Sequence, residues 1–98
     1  MAINRINVGG VKYDVSLKKN LIEPDSHQPV WGYTDYAGST IYIDNKLSKQ
    51  HIKQTLIHEL VHAMLWETGA VDGYNDEKLV NPLGNMLYSV LRSNAIEV

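Results

Sequence analysis

Ser48-Lys49-Gln50-His51-Ile52-Lys53-Gln54-Thr55-Leu56-Ile57-His58-Glu59-Leu60-Val61-His62-Ala63-Met64-Leu65-Trp66-Glu67-Thr68 is the stretch on which the fold turns. Ser48 suits a helix N-cap and Gly69 a stop, so the spacing predicts a helix from Ser48 to about Thr68. Ile52, Leu56, Leu60 and Met64 fall on one face, and Thr55, His58, His62 and Trp66 on another. Between Leu56 and Trp66 apolar residues occur almost all round, which marks this helix as the central, most buried element. Inside it lies His58-Glu59-Leu60-Val61-His62, an H-E-x-x-H run. Its two imidazoles stand one turn apart on one face, where both rings reach a single metal ion. Glu59 hangs beside such an ion and can take a proton from water instead of binding the metal. On an ordinary buried helix the same three side chains would need hydrogen-bond partners that an apolar core rarely supplies. The run therefore reads as the core of a zinc hydrolase.

Upstream of about Asp44 the hydrophobic pattern changes to a period of two. Residues 2–8 and 11–17 are strand-like runs around Gly9-Gly10, a hairpin signal. Residues 31–36 and 40–44 flank Ala37-Gly38-Ser39 and make a second hairpin, in which Tyr33, Tyr36 and Tyr42 are expected to pack across strands. Between the hairpins, Asn20 to Glu23 suit a turn of helix, and Pro24 and Pro29 bracket a loop with an exposed His27. Downstream, Asn75 is placed to cap a last helix reaching about Ser93, with Leu79, Leu83, Met86, Leu87, Val90 and Leu91 as its apolar stripe. Pro82 should kink or split that helix. The expected class is α+β: a small antiparallel or mixed sheet of hairpin strands packed on the central helix and a C-terminal helix.

Ninety-eight residues make one domain with a thin core. The chain has no cysteine, so disulfides and thiolate zinc sites are excluded, and any metal rests on histidine and carboxylate ligands. A net charge of −2 without basic runs argues against nucleic acid and against an anionic membrane surface as partner. No apolar run approaches spanning length, and Met1 to Val8 alternates where a signal peptide would be continuously apolar. The expected compartment is the cytoplasm.

A catalytic zinc site needs a third protein ligand and an open position. Glu67 sits about 140° round the helix from His62 and faces elsewhere. Asp72, Asp76 and Glu77 remain; Glu77 ranks ahead of Asp76, although acidic residues there also complement a helix dipole.

With Asn75-Asp76-Glu77-Lys78-Leu79-Val80-Asn81 beside the H-E-x-x-H run, the sequence resembles the gluzincin pattern, and more closely the short ImmA/IrrE-like metallopeptidase domains of phages and mobile elements. The likeness extends over Gly9-Gly10, Gly32-Tyr33-Thr34-Asp35-Tyr36, Ile41-Tyr42-Ile43-Asp44 and Gln54-Thr55-Leu56-Ile57-His58-Glu59, although only the metal motif is strongly specific. The resemblance implies zinc on His58, His62 and Glu77, Glu59 as general base, and a protein substrate such as a repressor encoded nearby. Asn81 and Pro82 depart from the family's usual form.

Gly84 lies on nearly the same face as Glu77 and would let the last helix approach the first closely. Asn81, one turn past Glu77, is a candidate acceptor for the outer N–H of a zinc-bound histidine. Tyr74 and His51 are candidate donors to the oxyanion of a peptide carbonyl under attack. Thr40 to Asp44 is a candidate edge for an extended substrate. Against zinc-dependent peptide hydrolysis stand two alternatives: a catalytically silent metal-binding or protein-interaction module that retains the fold, and a sequence-specific regulator acting on nucleic acid, which the acidic balance disfavours.

Overall fold

Gly9 and Gly10 adopt φ of +59° and +91°, the positive values that a two-residue hairpin turn requires and glycine adopts without strain. The turn joins β1 (Arg5–Val8) to β2 (Val11–Lys18), an antiparallel pair. The computed structural model describes residues 4–95, so the first residues expected in β1, 2 and 3, lie outside it. A second antiparallel hairpin pairs β3 (Gly32–Asp35) with β4 (Thr40–Asp44), its turn held by the Asp35 carboxylate, which accepts the Gly38 N–H at 3.0 Å.

The hairpins join through their second strands: β2 and β4 pair in parallel, and the sheet order is β1-β2-β4-β3. Thr40 to Asp44 is thus an interior strand, and the candidate substrate edge moves to β3. A parallel pair needs a long connection, and the chain makes it through residues 19–31 and the β3 hairpin. That segment holds no turn of helix at Asn20 to Glu23: Asn20 takes φ +53°, Leu21 is buried, and Ile22 bridges Pro29.

One face of the sheet is apolar. Tyr13, Ile41 and Ile43, alternate residues of β2 and β4, are fully buried against Leu56 and Ala63 of α1 (Lys49–Glu67). Ser48 caps α1 as its sequence predicts, accepting the His51 N–H at 3.1 Å. The Tyr13 hydroxyl donates to Glu67 Oε2 at 2.6 Å, fastening the end of α1 to β2 and turning Glu67 away from the motif histidines. Although α1 lies between the sheet and a second helix, Met64 and Trp66 remain exposed, so its apolar circumference is only partly covered.

The second helix, α2 (Glu77–Ser93), is capped by Asp76 instead of Asn75, the carboxylate accepting the Lys78 N–H at 3.0 Å. It continues through Pro82 as one element, so of the kink or split expected there the split does not occur. Gln54 bonds Asn85, and Glu77 reaches His58 and His62, so α2 runs back antiparallel along α1. Gly84 is buried at the crossing, where a Cβ would stand 3.4 Å from the His58 Cα, as the close approach expected of it demands. Among the described residues no helix is long and apolar enough to cross a membrane.

Candidate metal centre

The helical repeat of α1 brings the His58 and His62 rings edge to face at 5.1 Å between centroids. The first residue of α2 comes down on them from the other side. Glu77 Oε2 is 3.2 Å from His58 Nε2, and Glu77 Oε1 is 2.7 Å from His62 Nε2. The three side chains each offer a ligand atom within 4.8 Å of the others. Zinc bonds of about 2.0–2.1 Å set neighbouring ligand atoms of a tetrahedron about 3.3 Å apart, a spacing that the 3.2 Å between Glu77 and His58 matches and the 2.7 Å between Glu77 and His62 approaches. Two imidazoles and a carboxylate also match the donor chemistry of zinc.

The fit depends on which nitrogen of His62 carries hydrogen. His62 Nδ1 lies 2.6 Å from the Tyr74 carbonyl oxygen, an acceptor only, so Nδ1 donates and Nε2, directed at Glu77, is the nitrogen left to bind a metal. That carbonyl fills the role expected of Asn81. Asn81 is exposed and bonds neither imidazole, because Glu77 opens α2 and the next turn has already carried Asn81 clear of the rings. Asp76 is occupied as a cap, and Asp72 is exposed in the preceding turn.

Glu59 is buried beside the histidines, its Oε2 4.0 Å from His58 Nε2. Its Oε1 accepts the Thr34 hydroxyl at 2.9 Å. Burial pushes its carboxyl up from the ordinary glutamate range, and His62, His58 and Thr34 act against that rise. Glu59 thus stands close to His58, His62 and Glu77 without joining their cluster.

Thr34 and Gly32 were not singled out by the sequence, yet both face α1 from β3. A Cβ on Gly32 would lie 2.7 Å from Thr55 Cγ2, 3.0 Å from the Tyr42 carbonyl oxygen and 3.3 Å from Glu59 Cγ. The signal was present in the period-two pattern of β3, which sets Gly32 and Thr34 on the Ile41 and Ile43 side of the sheet. Tyr36 also departs from expectation. Tyr33 and Tyr42 pair across strands at 4.8 Å, but Tyr36 stacks on Trp66 at 4.8 Å and meets the edge of Tyr74 at 5.2 Å. Burial, then Glu59, Tyr74 and Glu77, push its phenol well above the usual tyrosine range, so it stays protonated.

These residues border a cleft of about 950 Å³ between β3 and the start of α2, reached by Glu59, His62, Glu77, Tyr36 and Tyr74. His51 is elsewhere, exposed and tilted against Trp31 at 4.8 Å, and His27 is exposed in its loop. Comparison with known proteins returns no match to a family model, to a curated protein or to a solved structure.

Proposed function

We propose that this chain is a zinc-dependent metallopeptidase that hydrolyses a peptide bond in a protein substrate. The observation that carries the reading is the convergence of His58 Nε2, His62 Nε2 and the Glu77 carboxylate beside a buried Glu59 that is free of them. A zinc ion held by His58, His62 and Glu77 would supply a Lewis acid for a carbonyl and lower the pKa of water towards neutrality. Glu59 takes the proton from the attacking water and returns it to the leaving amine. Thr34 keeps its carboxylate aimed, and the phenols of Tyr36 and Tyr74 are the cleft's available donors to a developing oxyanion.

The edge strand supports a peptide as substrate. Asp44 donates its N–H to the Trp31 carbonyl at 2.8 Å, so the inward-bonded pairs of this ladder alternate as 31–44, 33–42 and 35–40. Gly32 and Thr34 then direct their backbone groups off the open edge, where an extended chain adds by main-chain bonds. The resemblance to ImmA/IrrE-like domains supports a repressor or another protein encoded alongside as the substrate, in the cytoplasm. Neither nucleic acid nor a membrane enters this reading.

The test is cleavage of such neighbouring proteins by wild-type and Glu59→Gln chains, each with zinc content measured. Chelator-sensitive cleavage by the wild type, with Glu59→Gln retaining zinc while losing about 10²- to 10⁴-fold in rate, is the expected result. Equal rates would remove the enzyme reading and leave the silent metal-binding module.

A further inference from the structure

We propose that the exposed apolar stripe of α2 is a self-association surface, on which a second copy of this chain packs its own α2 antiparallel about a two-fold axis. At about 100° per residue, Leu79, Leu83, Met86 and Val90 lie within about 60° of one another. Val80 and Gly84, the buried residues that meet α1, lie about 110° further round. α1 therefore covers one flank of a wide apolar arc and leaves the other bare: Leu79 is 42% exposed, Leu83 44%, Met86 64% and Val90 38%.

Charge adds a second observation. The charged residues of α2 are Glu77, Lys78 and Arg92, and all fall outside the arc. The flanking positions on the bare side carry Pro82, Ser89 and Ser93. A face meant for water would carry lysine and glutamate there, whereas this one can close on an apolar partner without desolvating a charge.

The occupant follows from spacing and size. The stripe advances by four, three and four residues, which reads the same in both directions. A two-fold axis between Leu83 and Met86 thus sets Leu83 against Met86 of the other copy and Leu79 against its Val90, the self-complementarity an isologous interface needs. The stripe leaves on the order of 400 Å² of apolar surface per chain, the size of the largest and often functional patch on a monomer. Doubled, with its polar rim, it reaches about 1,200 Å², the lower end for a stable interface. The assembly is therefore a concentration-dependent dimer.

Sedimentation equilibrium of the full chain from about 1 µM to 1 mM, run with zinc and with a chelator, tests this. The expected result is a mass rising from one to two chains in both conditions, with Leu83→Glu and Met86→Glu each weakening association by at least about 100-fold. Both side chains are exposed, so neither variant depends on refolding the core, and circular dichroism checks each. A monomer throughout, a dimer that survives both variants, or a mass that climbs past two would overturn the proposal. A monomer that co-sediments with phosphatidylcholine vesicles would give the stripe to a membrane and overturn it as well. None of these outcomes turns on the metal centre.

Discussion

Asp76 and Glu77 are adjacent carboxylates with separate tasks, one closing the first turn of α2 and the other reaching two imidazoles. Glu77→Gln should lower zinc affinity by more than about 100-fold, beyond the loss typical of a residue that only supports a ligand. Asp76→Asn should change it little, because asparagine caps a helix about as well as aspartate. Chelator competition ranks the two, and the reverse order would transfer the third ligand to Asp76. Thr34 has a narrower task. Thr34→Val keeps the shape of the side chain and removes the hydroxyl that Glu59 Oε1 accepts. Zinc binding should persist while kcat for peptide hydrolysis falls about tenfold or more, the mark of a disordered general base. A loss of zinc in this variant would mean that Thr34 supports the ligands instead. His58, Glu59 and His62 were legible in the sequence because the spacing of a helix fixes their neighbours. Thr34 was not, because its partner is 25 residues away and no local pattern records which strand lies under Glu59.

Between α1 and α2, a close contact that can be varied is Gly84 on His58. A Cβ there would sit 3.4 Å from the His58 Cα, at the limit of ordinary contact. Gly84→Ala should therefore stay within about 1 kcal/mol of wild type, steric pressure being offset by better helix propensity. Gly84→Leu should cost about 1–3 kcal/mol by overpacking and should weaken zinc binding as well, since it pushes Glu77 away from the histidines. Thermal unfolding of the metal-free chain and chelator competition separate the two effects. Period alone showed both hairpins, α1 and α2. It did not show that β2 and β4 lie side by side, since each carries the same alternation whichever neighbour it takes. Nor did it show α2 passing through Pro82. The missing N–H costs one bond within the helix, and the packing of Val80 and Gly84 on either side holds the element together.

Across the whole molecule, the two halves of the sheet are tied at Asp44, whose carboxylate accepts the N–H groups of Lys46 at 2.8 Å and Leu21 at 3.1 Å. The Lys46 bond leads in holding its carboxyl below the ordinary aspartate value, with the Leu21 bond assisting. A depressed value in the folded state gives stability that is present above the unfolded value of about 4 and lost as pH falls through the folded one. Metal-free Asp44→Asn should accordingly melt below wild type at neutral pH, the gap closing as the pH drops under about 4; thermal scans from pH 2 to pH 7 check this, and a constant gap would refute it. The distribution of the site along the chain has a kinetic consequence. His58, His62 and Glu77 belong to one helical hairpin and meet through short-range closure, whereas Glu59 receives Thr34 only when β3 has docked against α1 and β4. The parallel β2–β4 ladder, in which Asp14 meets Thr40, is a long-range closure, and closures of that kind form late. On the proposed reading, a chain refolding from the unfolded state would gather His58, His62 and Glu77 before Thr34 reaches Glu59, so that hydrolytic competence would arrive only with the finished sheet.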